Sequence, residues 1–306
     1  EARALVLELL GLEGKGYQAL FLAGGASLEF LMVPYNLMKV NGKAAYLDTG
    51  TWSSGAIKEA KHFGETVVVA SSKSENYNHI PKNYTIPSDA DYFHCTSNNT
   101  IFGTQMKSFP DVSMPLVCDM SSDIFSRSLD FSKFDIIYAG AQKNMGPAGT
   151  TLVVIKEEIL GKTERTIPGM LNYQEHISKE SMYNTPPVFP VYASLLTLQW
   201  LKKLGGIAAI EKINEAKANL LYAEIDRNPL FKGVAAVEDR SNMNATFVLV
   251  NPEHEAKFDA MWKAAGISGL AGHRSVGGYR ASMYNALPIE SVQVLVDVMQ
   301  ELESKI

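Results

Sequence analysis

Only two cysteines, Cys95 and Cys118, occur in 306 residues, too few for a disulfide framework. Each stands in an apolar, strand-like setting, which reads as a reduced and buried small hydrophobe and fits a cytoplasmic location. No apolar run is long enough to span a bilayer, and no stretch reads as a signal peptide. Basic runs are missing as well. Lys and Arg total 28 against 33 Asp and Glu, a net charge of −5, which argues against nucleic-acid and membrane-surface partners. None of the six histidines has ligand spacing with cysteine or acid, so no metal site is expected. Repeats and low-complexity tracts are absent, and the three Asn-x-Thr sequons at Asn83, Asn98 and Asn244 read as chance.

What is present is enough apolar content, 46% of residues, for a large packed domain with a smaller one beside it. Strand-type and helix-type segments alternate through roughly the first 215 residues, which predicts an α/β fold with a mainly parallel sheet covered by helices on both faces. The expected division is a large domain over 1–215 and a smaller α+β domain over 216–306, joined by a long helix at Ile207 to Arg227. The opening EARALVLELLGL already reads as an amphipathic helix.

Several segments have chemistry in their pattern. The strand from Tyr17 to Ala23 runs into Gly24-Gly25-Ala26-Ser27 and then a helical pattern from Leu28 to Leu37. A strand, a glycine turn and a helix start favour an anion, because unpaired N–H groups and the helix dipole converge there. An ordinary strand–helix turn has the same appearance, and the segment is not a GxGxxG fingerprint. Trp52 stands at a second strand-to-helix junction, where α/β sheets place ligands, although a core tryptophan reads the same way. A polar turn is expected at Thr96 to Thr100, and a short buried strand from Pro115 to Cys118 ends at Asp119. That carboxylate is either a cap or a charge placed against a ligand.

Asp135 to Ile155, DIIYAGAQKNMGPAGTTLVVI, holds a lysine between two apolar, strand-type runs. An ammonium in such a place needs a partner or a reason to be neutral. Lys143 is then either a lysine on a polar turn or an amine desolvated enough to bond to a carbonyl cofactor, and spacing alone does not decide. Further on, GLAGHRSVGGYRASMYNALP gathers His273, Arg274 and Arg280 in one glycine-rich, hairpin-like turn. This is either a solvated loop or a receiver for carboxylate and phosphate.

The order D-I-I-Y-A-G-A-Q-K-N-M-G-P-A-G-T resembles the cofactor-lysine signature of the class V aminotransferases, fold-type I enzymes that use pyridoxal phosphate, and matching blocks run from about Ala23 to Ala286. The resemblance implies a seven-stranded-type sheet and a covalent bond between Lys143 and pyridoxal phosphate. It implies Ala26, Ser27 and Gln142 at the phosphate, Trp52 stacked on the ring, Thr100 beside it, and Asp119, 24 residues before the lysine, at the pyridine nitrogen. Asn184 and Thr185 are implied to reach the other subunit's cofactor phosphate, hence a homodimer with shared sites. Arg280 is implied for the substrate α-carboxylate, with His273 and Arg274 for a distal anionic group.

The activity implied is transfer of an amino group between phosphoserine and 2-oxoglutarate, giving 3-phosphohydroxypyruvate and glutamate, in serine and, for some bacterial relatives, vitamin B6 synthesis. The family normally has several dozen residues before the first helix, including a substrate-binding arginine, so the sequence reads as a truncated form. Three rival readings stand beside this one. A cysteine desulfurase needs a mobile nucleophilic cysteine after the lysine, whereas both cysteines precede Lys143. A non-catalytic cofactor-binding homologue would bind without turnover, and a nucleotide-binding Rossmann protein would retain NAD.

Overall fold

The computed structural model of the chain describes residues 1–274 and 276–306. In chain order the elements are α1 (Ala2–Leu10), β1 (Tyr17–Leu22), α2 (Ala26–Leu37), β2 (Lys43–Asp48), α3 (Thr51–Ala60), β3 (Glu65–Ser71), β4 (Phe93–Thr96), β5 (Asn98–Asn99), β6 (Thr104–Gln105), β7 (Leu116–Asp119), β8 (Ile136–Gly140) and β9 (Thr151–Lys156). They continue with α4 (Tyr173–Ser178), α5 (Val188–Leu204), α6 (Ile207–Arg227), β10 (Phe231–Gly233), β11 (Asn244–Leu249), α7 (Glu255–Ala264), β12 (Tyr279–Ser282) and α8 (Ile289–Ser304).

Seven strands form one sheet in the order β1-β9-β8-β7-β4-β2-β3. β8, β7, β4, β2 and β3 pair parallel, and β9 runs against both β1 and β8. Side chains alternate across each strand, so the sheet separates two apolar layers. Ala19, Leu47, Cys95, Cys118, Ile137 and Val154 meet α1 and α5 on one face. Leu20, Tyr46, Val117, Tyr138 and Val153 meet α2, α3 and Tyr173 on the other. A third apolar cluster joins α6, α7 and α8 to the antiparallel sheet β10-β11-β12.

The mainly parallel, doubly covered sheet is the fold expected from the alternation of elements. Two local differences have plain causes. The polar turn expected at Thr96 to Thr100 is instead the start of a two-stranded ladder, β5 with β6, because Asn99 Nδ2 donates to Thr104 Oγ1 at 3.1 Å across it. Strand β10 has only three residues, too few to show a period of two.

The parallel strands all point their C-terminal ends to one edge of the sheet. β4 and β7 pair with Thr96 beside Asp119, so the last residues of both strands open onto that edge together. In an open α/β sheet this edge is where ligands bind.

Candidate active site

The start of α2 is the first wall of a cavity at this edge. Gly24 and Gly25 lie at φ of 107° and 71°, in the left-handed region that favours glycine, and a Cβ on Gly24 would stand 2.5 Å from Leu28 Cδ2. The turn therefore delivers the N–H groups of the first helical residues, Ala26 and Ser27, to the cavity without side chains in the way.

Trp52 is the second wall. Its helix α3 is held at its start by Ser53, whose hydroxyl accepts from the N–H of Thr49 at 2.9 Å and of Gly50 at 3.0 Å. Behind it the buried Asp48 carboxylate accepts from Ser54 at 2.8 Å, Ser71 at 2.7 Å and Tyr77 at 3.1 Å. This anchorage leaves the indole 41% exposed as a plate over the cavity mouth.

Asp119 closes the floor at the end of β7 and is buried, with Oδ1 accepting from the N–H of Ser121 at 2.9 Å. Burial pushes its carboxyl up to about 6, while the bonds from Ser121 and the charge of Lys143 pull the other way. Lys143 stands in the turn between β8 and β9, half-buried. Next to it Asn144 Nδ2 donates to Ile124 O at 3.0 Å, and Asn144 Oδ1 accepts from Asn285 N, so the turn is tied to two other segments. The Lys143 ammonium also lies 5.5 Å from the centre of the Tyr284 ring.

The cavity has a volume of about 150 Å³ and brings together Ala26, Ser27, Trp52, Thr100, Asp119, Gln142 and Lys143. It also holds Gly25 of the glycine turn read from the sequence, and Phe30, Thr96, Asn98, Ser121 and Ser122, which sequence reasoning did not single out. Ser121 and Ser122 follow Asp119 at the strand end, which is the signal that would have found them. Thr96 Oγ1 is buried without a hydrogen-bond partner among the described residues, a polar atom left for a ligand.

Five expected residues lie elsewhere. Asn184 and Thr185 are exposed in this single chain, within a stretch that also exposes Met182, Tyr183, Val188 and Phe189. Arg274 is exposed and His273 half-buried in the turn before β12. Arg280 lines a different cavity, of about 370 Å³, with Ser268, Leu270 and Leu295, and its buried Nε has no partner among the described residues. The face of β12 that carries Arg280 nevertheless reaches the first cavity two residues on. Ser282 Oγ accepts from Asn244 Nδ2 at 3.1 Å, and Asn244 Oδ1 accepts from Asn98 Nδ2 at 2.8 Å.

A lysine, a carboxylate, an aromatic plate and a helix N-terminus around one polar cavity on a mainly parallel sheet are the parts of a site for an anionic, planar carbonyl compound. The family model of aminotransferase class-V matches residues 1–295, and the chain belongs to that family. More narrowly, it is similar to phosphoserine aminotransferases. It is 85% identical to the one from Flavobacterium psychrophilum, with all of this chain and 86% of that protein covered, and 78% identical to the one from Flavobacterium johnsoniae over the same shares. The solved phosphoserine aminotransferase from Bacillus circulans subsp. alkalophilus superposes with a TM-score of 0.96 at 44% identity, covering 99% of this chain and 85% of that one. A phosphoserine aminotransferase from Trichomonas vaginalis, solved with PLP bound, gives 0.92 at 36% identity, covering 98% and 86%. Among the described residues no helix is long and apolar enough to cross a membrane, and no cluster of His, Cys, Asp and Glu could hold a metal ion.

Proposed function

We propose that the chain is a pyridoxal-phosphate-dependent aminotransferase that moves an amino group between O-phospho-L-serine and 2-oxoglutarate, giving 3-phosphohydroxypyruvate and glutamate, in serine biosynthesis. The observation that carries this is the meeting of Lys143, Asp119, Trp52 and the α2 N-terminus in one cavity. The unpartnered Thr96 hydroxyl and the open N–H groups at Ala26 and Ser27 fit a polar, anionic cofactor. When bound, pyridoxal phosphate supplies an aldehyde that bonds to amines and a ring that draws electrons from the substrate α-carbon.

The chain's own residues do the rest. Lys143 Nζ would hold the cofactor covalently and would serve as the general base for the proton on the substrate α-carbon. The Asp119 carboxylate would hold the ring nitrogen and favour a proton there. Trp52 would stack on the ring, Ala26, Ser27 and Gln142 would hold the phosphate, and Thr100 would stand at the ring's side. Arg280 takes the substrate α-carboxylate, and His273 with Arg274 the distal phosphate, both forks suited to polyanions.

The active form is a homodimer in which Asn184 and Thr185 complete the partner's phosphate site. The exposed apolar residues around them, Tyr183 with 41% exposure and Phe189 with 71%, are the support for that reading. The boundary between large and small domains is placed at 215/216, beside the change from the two large apolar layers to the third cluster. Two unbridged thiols, Cys95 and Cys118, with sulfurs 3.7 Å apart, accord with a reducing, cytoplasmic location.

The test is to purify the protein with its cofactor and supply phosphoserine and 2-oxoglutarate. Glutamate should form, and phosphoserine alone should change the cofactor's absorbance. No glutamate and no spectral change would overturn the reading.

A further inference from the structure

Tyr284 is far in sequence from the residues of the cavity, yet several anchors set its ring beside Lys143. Its ring lies 5.5 Å from the Lys143 ammonium. Its hydroxyl oxygen accepts from Asn244 Nδ2 at 3.2 Å, and Asn244 in turn accepts from Asn98, a wall residue of the cavity. Its backbone is fixed from behind. The buried Lys217 ammonium donates to the carbonyls of Met283 at 3.1 Å, Tyr284 at 2.8 Å and Leu287 at 3.1 Å. Asn285 N, one residue on, donates to Asn144 Oδ1 at 3.0 Å, one residue from Lys143. The turn that carries the ring and the turn that carries the amine are therefore held in register by a direct bond.

An aromatic face attracts a cation through its quadrupole and holds it in a preferred direction. The only role given to Tyr284 by simple packing would be to fill space, which needs neither a hydroxyl tied to the cavity wall nor a buried lysine spent on three carbonyls. We propose that Tyr284 is a positioning residue for Lys143: its ring face holds the protonated ε-amine beside the cavity, and the link through Asn244 and Asn98 keeps that face aimed. This rests on the role given to Lys143 above. The carboxylate whose charge is coupled to the same amine is Asp119 at the end of β7, and Asp119 is coupled in turn to Asp123.

The experiment compares wild type with Tyr284→Leu, Tyr284→Met and Tyr284→Phe. The first readout uses the full chain freed of cofactor: the rate at which acetic anhydride acylates Lys143 at one fixed pH, followed by peptide mass spectrometry. Without the ring the amine is no longer held against an aromatic face, so Tyr284→Leu should be acylated about two- to five-fold faster. Tyr284→Met fills the space with a flexible chain and should match Tyr284→Leu, while Tyr284→Phe, which keeps the ring but loses its tie to Asn244, should fall between wild type and Tyr284→Leu. The second readout uses the holoenzyme: kcat falls in the two ring-free variants while KM for phosphoserine is unchanged. Folding is checked by far-UV circular dichroism, and Tyr284→Met carries the test if Tyr284→Leu does not fold. Wild-type acylation rates in a folded ring-free variant would overturn the proposal. A failure of the aminotransferase reading looks different: wild type would form no glutamate whatever the acylation rates are.

Discussion

Glu29 and Tyr173, 144 residues apart in the chain, share a 2.5 Å hydrogen bond in the interior, with the phenol donating to Oε2. The acid is wholly buried and its other oxygen, Oε1, has no partner among the described residues. Burial raises its carboxyl from 4.5 to about 7, against the opposing effect of the Tyr173 bond. A group that holds its proton more tightly folded than unfolded adds stability in full below about 4.5, and that stability is lost as pH rises through about 7. Glu29→Gln keeps a polar partner for Tyr173 and removes the titration. In urea unfolding, wild type should lose roughly 3 kcal/mol relative to the variant between about pH 4 and pH 8. Parallel pH profiles for the two proteins would show that Glu29 carries no such linkage.

Asp119 should set an acid limit on cofactor binding. With its carboxyl pushed up to about 6, it takes a proton as pH falls through that value and loses the charge that faces the ring. Equilibrium dialysis of pyridoxal phosphate should therefore show affinity weakening below about pH 6 in wild type, compared with a flat difference in Asp119→Asn. The same variant should lose about 10²- to 10³-fold in kcat, the scale of one electrostatic contact to developing charge. Turnover at the wild-type rate would remove Asp119 from the mechanism.

Lys143→Ala should abolish covalent cofactor attachment. Borohydride reduction followed by peptide mass spectrometry is expected to find the cofactor's mass on residue 143 in wild type and nowhere in the variant. A loss of about 10²- to 10⁴-fold in turnover accompanies removal of a general base. Finding the label on a different lysine in wild type would displace Lys143 from its role.

Shared sites predict complementation. Lys143→Ala and the double variant Asn184→Ala/Thr185→Ala should each be weak alone. Mixed and re-equilibrated, they form hybrid dimers in which one site has both an intact lysine and an intact partner loop, so about a quarter of wild-type activity should return. No recovery in a sample that mass spectrometry shows to contain hybrids would place Asn184 and Thr185 outside the partner's site.

The strand ends and the reactive turn were legible because their chemistry is local. Lys143 sits between two apolar runs, Asp119 stands at a strand terminus, Trp52 at a strand-to-helix junction, and Gly24-Gly25 precede a helical pattern, each visible within a dozen residues. The cavity then brought together seven of the nine residues expected at the cofactor. Thr96, Asn98 and Ser122 were missed because short polar residues look like turn in sequence, and their burial is created only when β4, β5 and β7 come together. Tyr284 was invisible for a different reason. Its approach to Lys143 depends on Lys217 being buried, the reverse of what a lysine on a helix ordinarily signals. Asn184 and Thr185 are exposed in one chain, and Arg280 lines a neighbouring cavity, so one subunit does not display what those residues meet.

The three carbonyls gathered by Lys217 have a consequence at a distance. Because that ammonium grows from the middle of α6, the longest helix, the loop beyond β12 is soldered to it and cannot shift alone. Shortening residue 217 would release the loop, and the disturbance would surface not at the helix but beside the Lys143 nitrogen, 74 positions earlier in the chain.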